Sequence, residues 1–216
     1  MTGNSKKNIL IMLLLLIPFF AWASDTLHDS YSEANKDNND LLNNADAGVD
    51  CHAHSFTTLN DGKQYKLTSI KAHLAKVSTP TGNYWAVLYA HSGTYGVTSV
   101  PTGSALATSD TKDISALTTS YVLTELFFTG SNQYVMSANT NYELAICTDT
   151  AENSKYLSVG IDATAATHAG NDSIHVLPAT WVVYGAATID MPFYVYGLEN
   201  VAASSPRRIP QLIFWQ

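Results

Sequence analysis

The feature that most constrains this chain is period-two alternation between Cys51 and Gly197, with no helical periodicity of useful length. In Tyr65–Val77, Ile70, Ala72 and Leu74 fall on one face and Ser69, Lys71 and His73 on the other. Pro80-Thr81-Gly82-Asn83 is a turn, because proline presets φ and glycine takes positive φ. Tyr84 to Ala90 alternates again, so 65–90 is expected to be a hairpin, followed by a Gly/Ser/Pro-rich loop over 91–110. Further strands are expected at Tyr121–Phe128, Gln133–Met136, Asn141–Thr148, Tyr156–Ile161 and Pro192–Gly197. Many short strands separated by turns predict an all-β, jelly-roll-like antiparallel β-sandwich forming one domain over 51–197.

The flanks differ in composition. Residues 1–23 carry Lys6 and Lys7, an apolar stretch from Ile9 to Ala21 and the sequence Ala21-Trp22-Ala23, which together predict a secretory signal peptide. The stretch 24–50 holds seven acids against one lysine and few aromatics, so it is expected to be a solvated, flexible acidic linker. A short helix around Asn39–Ala47 is the alternative there. The tail 198–216 ends in Leu212-Ile213-Phe214-Trp215. That apolar run is either a packed last strand or an assembly segment that adds to a neighbour's sheet edge, and it is too short to span a bilayer.

Charge narrows the function. The net charge of −7 argues against a nucleic-acid binder. Most of that charge sits in 24–50, which leaves residues 51–216 with eleven acids and eight bases, close to neutral. No HExxH, GxSxG, phosphate-loop or dinucleotide motif is present, so a non-enzymatic role is expected. A weaker alternative is a glycan-active enzyme using Glu125 and Glu143, since glycoside hydrolysis needs two converging carboxylates.

Binding chemistry is better represented. If Tyr84, Ala86 and Leu88 face the core, Trp85, Val87 and Tyr89 face out, beside Lys71 and His73 on the neighbouring strand. Trp85, Tyr89, His73 and Lys71 are thus the candidate ligand-binding residues, with rings to stack on a sugar and donors for its hydroxyls. The same rings suit a subunit interface, or simple packing under the 91–110 loop. His52 and His54 share a strand face and would bind zinc if a third ligand came near; the simpler expectation is a solvent face. Asp149, Glu152, Asp162, Asp172 and Asp190 offer the oxygen chemistry of a structural calcium site. Cys51 and Cys147 are either a disulfide or two free thiols. Asn171-Asp172-Ser173 fits the glycosylation acceptor pattern.

Several stretches carry a family resemblance: Tyr65-Lys66-Leu67-Thr68-Ser69-Ile70-Lys71, Leu88-Tyr89-Ala90-His91-Ser92-Gly93, Val100-Pro101-Thr102-Gly103-Ser104-Ala105-Leu106-Ala107, Thr167-His168-Ala169-Gly170-Asn171 and Phe193-Tyr194-Val195-Tyr196-Gly197. With Pro80-Thr81-Gly82 they resemble choice-of-anchor R proteins and related secreted or phage-encoded sandwich modules over about residues 51–197. The resemblance implies a jelly roll similar to carbohydrate-binding modules, exported and displayed on a surface. The expected function is an exported glycan-binding or adhesion module whose partners are glycans or neighbouring subunits. The alternative is a structural subunit of an extracellular filament, sheath or virion appendage.

Overall fold

The structure is a computed structural model, and it describes residues 24–201 apart from 44–48, 153, 179 and 186–187. The expected signal peptide and the Leu212-Ile213-Phe214-Trp215 segment lie outside the described residues. The strands are β1 (Thr26–Tyr31), β2 (Asn38–Leu42), β3 (Val49–Thr57), β4 (Tyr65–Val77), β5 (Asn83–Ser92), β6 (Val100–Thr108) and β7 (Lys112–Asp113). They continue with β8 (Val122–Phe127), β9 (Val135–Met136), β10 (Asn141–Thr148), β11 (Tyr156–Ile161), β12 (Asp172–Val176), β13 (Thr180–Val183) and β14 (Phe193–Glu199).

They form two seven-stranded antiparallel sheets packed as a sandwich. The first sheet is built on β4. Ile70 pairs with Val195 of β14 on one side and Leu126 of β8 on the other. β14 and β11 take successive stretches of β4, and β1 and β2 line their outer side as edge strands. The second sheet runs β13-β12-β3-β10-β5-β6, with β7 added to β5. Between the sheets, Leu67, Ile70 and Leu74 of β4 meet Leu88, Phe56, Leu144 and Ile146, all fully buried. From Ile70 to Leu74 in β4 and from Tyr84 to Leu88 in β5 the expected parity lines this core, while a register shift opposite Tyr196 and Gly197 brings Leu67 onto the same face.

Three expectations about elements are corrected. Among the described residues of the expected 24–50 linker, β1 and β2 are strands of the first sheet, and no helix covers Asn39 to Leu42. Their acids are engaged rather than merely solvated. Asp29 accepts from the Thr57 and Ser30 amides, Asp37 from the Ala163 amide and the Thr164 hydroxyl, and Asp40 faces His52. The 65–90 stretch is not a hairpin, because β4 and β5 lie in opposite sheets. The turn between them carries the chain across the sandwich, and Gly82 there has φ +108° with Asp149 Oδ1 2.5 Å from where a Cβ would stand. Finally, residues 100–108 of the expected loop form β6.

Candidate functional site

The outer face of the second sheet is the side chains' other parity. Cys51 and Cys147 are direct partners on β3 and β10, with Cα atoms 4.1 Å apart, and their sulfurs are joined in a disulfide. Beside it, Ala53, Ala145 and Val87 make a floor of small, uncharged groups. Trp85, Tyr89 and Trp181 pack half-buried around that floor.

These rings come from strands far apart in the sheet. Between β5 and β13 lie β10, β3 and β12, so a flat sheet would separate them by about 19 Å. Yet the Tyr89 and Trp181 ring centroids are 5.7 Å apart, edge to face, and the outermost strands β13 and β6 come into contact. The sheet therefore rolls over on itself, making the outer face concave. His175 joins the rim, 5.1 Å from the Trp181 ring, with Nδ1 2.6 Å from Asp50 Oδ1.

Glu143 also belongs to this face, opposite Ser55 on β3 and Tyr89 on β5. It is fully buried, and neither carboxylate oxygen has a hydrogen-bond partner. Burial, with the charge of Asp172 behind it, pushes its carboxyl up to about 9. At neutral pH it is thus a carboxylic acid, able both to donate and to accept. Ser173 Oγ, next to Ala53, is likewise buried without a partner. The concave face therefore combines half-buried rings at its rim with an uncharged, buried floor in which Glu143 and Ser173 keep unpaired polar atoms.

The structure divides the sequence-predicted ligand set. Trp85 and Tyr89 lie on this concave face, whereas Lys71 and His73 lie on the outside of the other sheet. There Lys71 Nζ sits 5.0 Å over the Tyr196 ring and 4.0 Å from Glu125 Oε1, and His73 packs on Tyr121. The misassignment follows directly from reading β4 and β5 as one hairpin. Glu125 and Glu143 are separated in the same way and form no acid pair. Trp181 escapes the sequence reading, although Thr180-Trp181-Val182-Val183 has the β-branched and aromatic signature of a strand. Asn171 is fully buried, and its side-chain amide donates to the Ser99 and Asp172 carbonyls, so the acceptor pattern is closed to modification in the folded chain.

A second polar cluster lies inside the sandwich. His52 and His54 face the core, not solvent, and both are fully buried. Phe56 shares their parity, which is the sequence signal for this orientation. His52 spans Asp40 and Asp172, with Nδ1 2.9 Å from Asp40 and Nε2 2.7 Å from Asp172. Burial opposes charge on His52, but Asp172 and Asp40 outweigh it and raise the ring to about 10. Burial likewise opposes ionisation of Asp172, yet His52 and His54 hold it below the usual carboxylate range. His54 Nδ1 meets the other oxygen of Asp172, and its Nε2 lies 2.8 Å from Nδ1 of His168. His168 Nε2 is 3.2 Å from Asp29.

Among the described residues the expected calcium acids form no common oxygen site, although Asp162 and Asp190 are paired through their backbones. Asp149 is engaged by Asn83, Glu152 by Lys155, and Asp162 by Tyr31, while Asp172 and Asp190 sit among histidines. Imidazole-rich surroundings are not those of a calcium ion, which takes oxygen ligands.

No family model matches the chain, and no significant match was found among curated proteins. Among solved structures it is similar to the cysteine protease and lectin-like domains of Cwp84, a surface layer associated protein of Clostridium difficile. The TM-score is 0.42 at 12% sequence identity, over 69% of this chain and 32% of that one, so this chain spans about a third of its length. Among the described residues no helix is long and apolar enough to cross a membrane.

Proposed function

We propose that this chain is an exported, non-catalytic surface module that binds neutral carbohydrate on the concave face of its second sheet. The observation that carries this reading is the convergence of Trp85, Tyr89 and Trp181 over an uncharged floor beside Glu143. Pyranose C–H faces stack on aromatic rings, His175 at the half-buried rim offers a polar group for sugar hydroxyls, and the protonated Glu143 beneath keeps the buried floor uncharged. Such a site binds by shape and hydrogen bonding, and its separated acids give no basis for hydrolysis. The signal-like N-terminal sequence and the disulfide support export. The motifs resembling choice-of-anchor R proteins support surface display.

A glycan array probed with the purified chain, followed by titration of retained glycans against Trp181→Ala, tests the proposal. Retention of neutral glycans is expected, with affinity at least tenfold weaker in the variant, or ~1.4 kcal/mol. Cooperative melting of the variant distinguishes lost binding from lost folding. Absence of retained glycans, or unchanged affinity in the variant, would overturn the proposal.

A further inference from the structure

The cluster of His54, His168 and Asp190 lies inside the sandwich, away from the concave face. One atom from each residue lies within 4.8 Å of the others. His54 Nε2 is 2.8 Å from His168 Nδ1 and 4.0 Å from Asp190 Oδ1. Tetrahedral ligation at zinc–nitrogen lengths puts neighbouring ligand atoms about 3.3 Å apart, within that span.

Hydrogen bonding fixes what each atom presents. Asp172 takes the Nδ1–H of His54, and Asp29 takes the Nε2–H of His168. The amide of Gly170 donates to His168 Nδ1 at 3.0 Å, which marks that nitrogen as an acceptor. In the neutral rings, then, His54 Nε2 and His168 Nδ1 are both acceptors 2.8 Å apart, and an ion taking the single His168 Nδ1 lone pair would displace the Gly170 amide from it. Two acceptors that close repel unless a proton or a cation lies between them.

Asp190 supplies an independent observation. Its Oδ2 accepts from the His168 amide at 2.7 Å, whereas its Oδ1 is buried, 4.0 Å from His54 Nε2, and has no hydrogen-bond partner. The residue is 1% exposed, so solvent does not satisfy that oxygen. Each ring also has a carboxylate behind it, the arrangement in which an outer carboxylate orients a metal-ligating histidine.

We propose that His54 Nε2, His168 Nδ1 and Asp190 Oδ1 form a site for a divalent transition ion, Zn2+ foremost, with Asp172 and Asp29 orienting the two rings. Nitrogen-rich ligation selects zinc over calcium. The ion would fasten β3 of one sheet to the 162–171 loop and to the segment entering β14 of the other. The third ligand that the His52/His54 pair lacks in the sequence is thus His168, far along the chain, and only His54 of that pair takes part.

Calorimetric titration of the chelator-treated chain with Zn2+ and the absorption spectrum with Co2+ test this site. About one ion per chain and an intense tetrahedral cobalt spectrum are expected. Asp190→Asn and His168→Gln should abolish the cobalt spectrum. Asp29→Asn, at a partly exposed residue, should fold normally and weaken zinc binding about ten- to a hundredfold. If the parent chain binds neither ion, a proton shared between the rings accounts for the geometry and the proposal fails. It also fails if the three variants bind zinc as tightly as the parent.

Discussion

Glu143 shows how one buried side chain ties stability to pH. Its carboxyl titrates near 4.5 when exposed and is pushed to about 9 in the fold, chiefly by burial. Between those values the folded chain holds a proton that the unfolded chain has released, so stability falls as pH rises. His52 acts in the same direction from about 6.5 to about 10, because its raised value makes its contribution complete below 6.5 and lost above. Asp172 has the opposite sign: held low in the fold, its contribution is present above about 3.8 and lost on acidification. Thermal melting should therefore be highest at about pH 4–4.5, decline above that as Glu143 loses its contribution, and fall more steeply from about pH 6.5 toward 9 as His52 adds to the loss. Glu143→Gln should flatten that decline; a variant melting curve that falls as steeply as the parent's would rule Glu143 out as its source. None of this is legible in the residue types alone. Alternation assigns Glu143 to the face opposite Leu144, but not that the Trp85, Tyr89 and Trp181 rings come together over that face and bury its floor.

At the scale of elements, strands with a strong apolar parity were readable and those without it were not. β4, β5 and β10 place Ile70, Leu88 and Leu144 in the core as alternation demands. β1 and β2 each send one buried side chain into the core, Tyr31 and Leu42, and are otherwise held by backbone pairing to β14 and β11 and by acids that find specific donors. A composition argument treats those acids as solvated charge, because their donors are distant in sequence. Sheet membership was illegible for a related reason: a short Gly turn serves a hairpin or a crossing between sheets equally well. The β1–β2 segment is expected to be required for folding. A chain begun at Val49 loses two strands and the carboxylates facing His52 and His168, and should elute as aggregate in size-exclusion chromatography. A monodisperse, cooperatively melting product would refute that requirement.

For the whole molecule, the sandwich closes one core between its sheets and a smaller one within the roll of the second. The disulfide sits in the latter and closes a sequence separation of 96 residues. Replacing Cys51 and Cys147 together with alanine should cost about 3 kcal/mol and lower the melting temperature by roughly 6–12 °C. A change under ~2 °C would mean that the surrounding rings hold the roll without it. The two edge strands β1 and β2 bear on how copies of the molecule meet. Along them the Ser30 and Leu41 amides are taken by the aspartate just before each, and the Asn39 amide by Asn38. An incoming strand needs such N–H groups, and would have to displace the Asp29, Asn38 and Asp40 side chains to reach these three. What short polar residues contribute at this edge is thus self-sufficiency: backbone donors already satisfied within their own strand offer less to a neighbouring one.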